Sequence, residues 1–250
     1  MLPRHVLLLA LVGVVSLAAC SSDEATPEAM NEAVMAAAAA VLDGPFELVA
    51  TESTSDGEVL RSEWLDFRSD EQFRQVFGSE IEGRSSALAW VVVDGERFCA
   101  NSGTGDACAF DVAVDQATWA SYGPVGAPSG NTKPILDVLS AEFVQMRLTP
   151  TILERSTLGR SDDPDESTTW TLSVPLAGGL EHWTWTIDTE GVLTKLSIRG
   201  EGVLALDRFE RMEASFTPLD APEPIVAPVP GSAFQLEELP IPEGTPLLTD

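Results

Sequence analysis

Few side chains in this 250-residue sequence are suited to nucleophilic or metal chemistry, and they are widely separated. The cysteines are Cys20, Cys99 and Cys108, and the histidines are His5 and His182. Two histidines are too few for a zinc site built from several imidazoles. No Gly-x-Ser-x-Gly motif accompanies His182, so a strand histidine on the wet face is better read as a surface residue than as a base. We therefore expect no enzyme activity, no catalytic residues, no metal and no cofactor.

One acidic run deserves a test as a calcium site. Asp162, Asp163, Asp165 and Glu166 offer the hard oxygen ligands that Ca²⁺ prefers. They lack the spacing and the central glycine of an EF-hand, and Pro164 interrupts them. The sequence favours a solvated acidic loop at this position.

The N-terminus has the pattern of an export signal. Arg4 and His5 precede an uncharged, mostly apolar run from Val6 to Ala19, which is too short to cross a bilayer as an ordinary helix. The run ends in Leu-Ala-Ala-Cys, a sequence that resembles the lipobox of bacterial lipoproteins. That resemblance implies that residues 1–19 are a signal peptide and that Cys20 carries diacylglycerol, with palmitate-type chains. The alternative is a plain secretory signal that ends near a cysteine.

Lipidation of Cys20 would anchor the protein to the bacterial cell membrane on its extracytoplasmic side. Two or three acyl chains give durable attachment where one would not. Residues 20–25 would form the lipidated tether. Exported chains meet oxidising conditions, so Cys99 and Cys108 are expected to form a disulfide around a glycine-containing loop. The rival interpretation, a redox or metal pair, fits poorly because eight residues separate them.

Composition narrows the classes of partner. Hydrophobic residues make up 44% of the chain and charged residues 22%, which is enough apolar material for a core. Forty Asp and Glu against fourteen Lys and Arg give a net charge of −26. So acidic a chain repels phosphate backbones, which argues against any nucleic-acid partner.

Two helices and several strands are predicted from periodicity. Thr26-Pro27-Glu28 is a favourable helix start, and the alanine-rich stretch continues to Leu42. A central helix is expected over Pro134 to Leu148. Strand-like runs cover 46–51, 59–67, 72–77, the hairpin 87–100 with its Asp94-Gly95 turn, 169–174, 183–188 and 192–198. Residues 202–216 suit a helix or a final strand, and a strand is favoured.

The later strands alternate between an apolar and a polar face, as expected for an antiparallel meander with one buried side. The apolar stripes of these strands and of the central helix are the candidate lining of a ligand site. They comprise Ile135, Leu139, Phe143, Met146, Trp170, Leu172, Trp183, Trp185, Ile187, Leu196 and Ile198. The alternative without a ligand is that the same apolar stripes form an ordinary, sealed hydrophobic core.

The stretch from Trp183 to Pro228 carries a more specific resemblance. The strand from Trp183 to Asp188, the turn at Gly191, the strand to Ile198, and the ending from Phe216 to Pro228 resemble the C-terminal half of the LolA/LolB-type lipoprotein-carrier superfamily. The wording is most similar to LppX/LprG-like lipid-carrier lipoproteins. The match departs in the Cys99–Cys108 loop, in the acidic run and after Gly231.

The resemblance implies an α+β fold: a curved antiparallel sheet, or unclosed β-barrel, packed on the N-terminal and central helices. The lipid-binding domain would span residues 26–230, followed by an extended, proline-containing tail from 231 to 250. The expected function is to bind a lipid or an acylated molecule in an apolar cavity and to carry or present it. The alternative is an extracytoplasmic sensor or protein-interaction module with a vestigial cavity.

The predicted disulfide gives a direct test. A thiol-reactive label applied without reductant to the denatured, exported protein should modify neither Cys99 nor Cys108, because both sulfurs would be bonded. Reduction before labelling should expose both. Stoichiometric labelling of both residues without reductant would refute the bridge.

Overall fold

The structure is a computed structural model that describes residues 25–81, 84–101, 109–111, 117–124, 149–163, 167–176, 179–202 and 210–245. Several predicted features lie outside these ranges: the export signal with Cys20, Cys108, and the central helix 134–148. The four candidate lining residues of that helix therefore also lie outside the described residues, namely Ile135, Leu139, Phe143 and Met146.

The first element is helix α1, Pro27–Leu42, with the bounds predicted from the sequence. The Thr26 hydroxyl accepts a hydrogen bond from the backbone N–H of Ala29 at 3.2 Å, which satisfies one of the free donors of the first turn. Met30, Val34 and Val41 form the buried stripe, as expected from their spacing. Among the described residues, no helix combines the length and apolar character needed to cross a bilayer.

Twelve strands follow in the described residues. They are β1 Phe46–Ser53, β2 Val59–Ser69, β3 Gln72–Ile81, β4 Arg84–Val93, β5 Glu96–Asn101, β6 Ala109–Asp111, β7 Thr118–Pro124, β8 Thr157–Asp163, β9 Ser167–Leu176, β10 Gly179–Asp188, β11 Leu193–Gly202 and β12 Arg211–Pro218. A short helix, α2 Pro150–Leu153, precedes β8, and a single 3₁₀ turn covers Leu236–Glu238.

All strands belong to one antiparallel sheet. Its order is β7-β5-β4-β3-β2-β1-β12-β11-β10-β9-β8, with β6 beside β4. Strand β1 pairs with both β2 and β12, so it joins the two halves of the sheet near its centre. The end strands β7 and β8 do not pair with each other in the described residues, and the sheet is open. The predicted fold class, an α+β protein with an antiparallel sheet packed on the N-terminal helix, is confirmed.

The side of the sheet against which α1 packs is called here the helix face. Helix α1 lies over β10 and β11, in the half of the sheet formed by the C-terminal strands. The alanines of α1 let the helix approach the sheet closely, and larger side chains of the strands fill the space between. The largest core side chains there are Trp183, Trp185, Phe46, Met30, Leu48, Leu172, Leu193, Leu196, Ile198 and Met212.

On the opposite side, the outer face, the chain's own C-terminal segment, residues 225–241, covers strands of the N-terminal half of the sheet. Gly231 and Phe234 donate backbone hydrogen bonds to the carbonyls of Trp119 and Ala117, at 2.7 and 2.8 Å. The backbone N–H of Trp119 donates in turn to Ser232 at 2.9 Å. These bonds occupy the free edge of β7, which protects it from pairing with another chain.

Beyond that edge the segment crosses a second apolar cluster. Phe234, Leu236, Leu239 and Ile241 pack on a set of buried side chains of the outer face: Trp64, Val76, Ala87, Ala89, Ala100 and Ala117. The sequence predicted residues 231–250 as a tail that follows the domain. Residues 231–245 do lack long regular elements, but the part up to Ile241 packs on the domain, because its four apolar side chains contact this second cluster.

The hairpin turn predicted at Asp94-Gly95 is confirmed. Asp94 and Gly95 both have positive φ, 53° and 76°, as a type I′ hairpin turn requires. The ambiguous stretch 202–216 ends in a strand, β12, as favoured, although residues 203–209 lie outside the described ranges. The acidic loop is corrected in part. Asp162 and Asp163 belong to β8, because Thr168 and Ser167 of β9 pair with them.

The C-terminal cover can be tested with one side chain. Phe234 meets the Trp119 ring edge-on, with centroids 5.1 Å apart. We expect Phe234→Ala to lower the free energy of unfolding by about 2 kcal/mol, since the lost ring is partly buried. The matched control is Val229→Ala, because Val229 is 69% exposed and should change stability by less than about 0.5 kcal/mol. Equal losses in urea unfolding for the two variants would contradict a stabilising role of this segment.

Candidate functional site

The structure brings together every described residue of the candidate lining. All seven lie on β9, β10 or β11 with side chains on the helix face, and each is at most 6% exposed: Trp170, Leu172, Trp183, Trp185, Ile187, Leu196 and Ile198. The Trp183 and Trp185 rings stack with centroids 5.5 Å apart. These residues pack with α1 in the larger core cluster. Their role in lining a ligand site stays a prediction.

A different part of the helix face is polar. Five side chains from β1, β2 and β3 lie together in what we call the polar patch: Glu52, Arg61, Glu63, Gln75 and Ser79. Strand pairing explains their proximity, because Arg61 stands opposite both Glu52 and Ser79. Charged residues are rarely buried in a sheet unless they are paired, so this patch calls for an explanation.

Glu63 is the centre of the polar patch and has no exposed surface. Its Oε1 accepts a hydrogen bond from Gln75 Nε2 at 2.7 Å. Its Oε2 has no hydrogen-bond partner among the described residues. Burial raises the pKa of the Glu63 carboxyl to about 7, the Gln75 hydrogen bond opposes that shift, and the nearby Glu52 adds to it. The carboxyl is therefore poised between its neutral and charged forms near neutral pH.

The other charges of the patch balance each other. Arg61 Nη1 lies 3.4 Å from Glu52 Oε2, and the Arg61 side chain is 27% exposed. This ion pair holds the Arg61 guanidinium against Glu52, at the rim of the patch. The immediate neighbours of the Glu63 carboxyl are consequently the Gln75 carboxamide and apolar groups such as Phe77. No cation among the described residues contacts it.

Apolar and aromatic side chains border the patch on β3 and β4. Phe77 stands opposite Glu63, Trp90 stands opposite Gln75, and Leu88 pairs with Phe77. All three are half-buried, in contrast to the fully buried side chains of the core under α1. This border continues towards the β7 edge of the sheet. The Arg97 guanidinium lies 4.7 Å from the centre of the Trp90 ring, and the 51% exposed Tyr122 meets the same ring edge-on.

Sequence reasoning missed the polar patch, and the reason is visible in β2. Residues 62–66 are all buried, on both faces of the sheet, so β2 shows no alternation of exposed and buried positions. Glu63 faces α1's side while its neighbour Trp64 faces the C-terminal segment. Polar Ser62, Glu63 and Asp66 are mixed with apolar residues along β2, so no pattern in its sequence predicts that Glu63 is buried.

His182, the one histidine of the described residues, lies on the outer face. Its Nδ1 and the Ser173 hydroxyl of β9 are 2.8 Å apart, and both residues are half-buried. Arg199 is its cross-strand neighbour on β11. Because no Gly-x-Ser-x-Gly motif presents a serine as a nucleophile beside His182, we assign no catalytic role to this pair.

The remaining predicted site residues can be placed briefly. Cys99 is fully buried on the helix face of β5, and its predicted partner Cys108 lies outside the described ranges. Hydrogen bonds from Thr168 and Arg160 lower the pKa of the exposed Asp162 carboxyl. Within the described residues no three or more His, Cys, Asp or Glu side chains are arranged to hold a metal ion.

Comparison with known proteins adds a fold-level likeness. No protein-family model and no curated protein matches this chain. Among solved structures it is similar to LprF from Mycobacterium bovis, with 14% identity, a TM-score of 0.37, and coverage of 80% of this chain and 98% of LprF.

The chain is also similar to a structure of the Pseudomonas aeruginosa MucA/MucB complex, with 14% identity and a TM-score of 0.31. That match covers 84% of this chain and 60% of the other. A structure of MucB in complex with MucA(peri) gives 14% identity and a TM-score of 0.31, over 85% of this chain and 59% of that one. With identities this low and TM-scores below 0.5, these likenesses carry no argument about what this chain binds.

The raised pKa of Glu63 predicts a specific dependence of stability on pH. The Glu63 carboxyl has a pKa of 4.5 in the unfolded chain, so the folded state holds its proton more tightly. The contribution of this carboxyl to the free energy of unfolding is therefore complete below pH 4.5 and is lost as the pH rises through about 7. In urea unfolding, the free energy of unfolding of the wild-type protein should fall by an amount on the order of 3 kcal/mol between about pH 4 and about pH 8, and we expect Glu63→Gln to abolish this fall.

The matched control is Glu96→Gln, which changes an exposed carboxylate on β5 and leaves the charge count equal to that of Glu63→Gln. Its pH profile should follow that of the wild-type protein. Identical profiles for the two variants would show that the Glu63 carboxyl is not the source of the pH dependence.

Proposed function

We propose that this protein is an exported lipoprotein, anchored through Cys20, that binds a lipid or an acylated molecule on the helix face of its sheet and carries or presents it outside the cytoplasmic membrane. The observation that carries the proposal is the border of half-buried Phe77, Leu88 and Trp90 beside the buried polar patch. A hydrocarbon surface next to isolated polar groups is the usual composition of a small-molecule site.

The energetics suit an acyl chain. Each methylene group removed from water contributes about 0.8 kcal/mol, so one long chain outweighs most polar contacts. A lipid taken from a bilayer gains almost nothing net, because it leaves one apolar environment for another. Such a protein therefore lowers the barrier to moving a lipid through water, and a partner or a gradient must set the direction.

A second function, a protein-interaction module, is favoured by a different observation. The C-terminal segment presents two apolar side chains to solvent, since Val226 is 82% exposed and Val229 is 69% exposed. An apolar pair on a chain of net charge −26 would suit a partner with a basic rim around an apolar centre. A protein that binds there could receive or supply the carried lipid.

Lipid binding predicts that the non-lipidated Cys20→Ala protein retains lipid through purification. Organic extraction and mass spectrometry should find it, and the delipidated protein should bind a fluorescent fatty acid. We expect Leu88→Lys to weaken this binding at least tenfold, because an ammonium group would replace apolar surface. Val226→Lys, on the C-terminal segment, is the matched control and should bind as the wild-type protein does.

Circular dichroism of both variants separates loss of the site from loss of the fold. Absence of co-purifying lipid together with absence of fatty-acid binding would reject the proposed function. Equal weakening by Leu88→Lys and Val226→Lys would place the site elsewhere than the helix face of β3 and β4.

A further inference from the structure

We propose that Glu63 is the polar end of a ligand subsite and binds a hydroxyl group of an acylated ligand whose chain lies along Phe77 and Leu88. This inference rests on the proposed function and adds the chemical class of the ligand. It would distinguish a hydroxylated lipid, such as an acylglycerol or a glycolipid, from a simple hydrocarbon ester.

The first argument is the unused oxygen of Glu63. A buried polar atom without a hydrogen bond costs free energy, and most such atoms in native proteins have a partner. Oε1 of Glu63 is engaged by Gln75, whereas Oε2 has no partner among the described residues. An apolar residue would fit between Ala50 and Phe77 at no such cost, so a carboxyl here is better explained by an incoming partner than by packing.

The second argument is the chemistry of that partner. Burial favours the neutral carboxyl, which donates one hydrogen bond and accepts another, and a hydroxyl group can do both. An ammonium group only donates, and its charge finds no counterion in a neutral carboxyl. A phosphate or carboxylate would need a free cation, and the one cation of the polar patch, Arg61, is already paired with Glu52 at 3.4 Å.

The third argument is position. In the cross-strand rows of the helix face, Glu63 is followed by Phe77 on β3 and by Leu88 on β4. A ligand with its hydroxyl at Glu63 can therefore lay its first methylene groups along the half-buried side chains of the border. Trp90, in the next row, stands beside the same path and opposite Gln75.

The test compares ligands that differ only at the polar end. Monoolein, methyl oleate and oleylamine share the same eighteen-carbon chain length, and each would displace a fluorescent fatty acid from the delipidated Cys20→Ala protein. We expect the protein to bind monoolein about tenfold more tightly than methyl oleate or oleylamine, the gain of one hydrogen bond to a buried group. Glu63→Leu should bind all three alike, and Glu96→Leu, which changes an exposed residue, should keep the preference.

A second measurement does not need the leucine variant to fold. In infrared difference spectra of the wild-type protein, monoolein should shift the C=O stretching band of the neutral Glu63 carboxyl, and methyl oleate should not. The band should be missing in Glu63→Gln. Either a shift with both ligands or a shift with neither would overturn the subsite.

The outcomes separate this inference from the function on which it rests. Equal binding of monoolein and methyl oleate by the wild-type protein would overturn the hydroxyl subsite and leave lipid binding intact. A preference for oleylamine would overturn the hydroxyl assignment in favour of a cation. Failure of all three probes, and of the fluorescent fatty acid, would reject both the subsite and the proposed function.

Discussion

An open sheet cannot bury both of its faces by itself, and this constraint governs the whole molecule. The apolar stripes that the strands present must be covered largely by parts of the chain that are not sheet. Helix α1 covers the helix face over β10 and β11, and residues 225–241 cover the outer face over the strands from the N-terminal half. Strand β1, which pairs with β2 and β12, connects the two halves into one body.

The two covers lie on opposite faces and over different halves of the sheet. Strand β2 is buried on both sides, with Trp64 under the C-terminal segment on the outer face and Glu63 on the helix face. A carboxyl in that position lacks water and has one amide partner, which accounts for its raised pKa. The same features make it a place on this face where a bound polar group would give an unpaired oxygen a hydrogen-bond partner.

The apolar half of the site was accessible to sequence reasoning, and the polar half was not. Strict alternation in the sequence predicts that Trp183, Trp185 and Ile187 share one face of a strand, and the structure places them together. Glu63 carries no such signal, because alternation fails in a strand that is buried on both sides. The docking of Phe234 was equally hidden, since an extended segment without periodicity gives no indication of the surface on which it packs.

By itself, the sequence determined those features that depend on neighbours along the chain. The bounds of α1 follow from its capping threonine and proline, the Asp94-Gly95 hairpin from residues that tolerate positive φ, and the strand faces from a period of two. Only the tertiary structure decided which strands pair across long separations, which face each cover occupies, and that Glu63 is left with an unused oxygen. These depend on distant segments meeting, and pairing, burial and the resulting pKa are properties of that meeting and of no single stretch of residues.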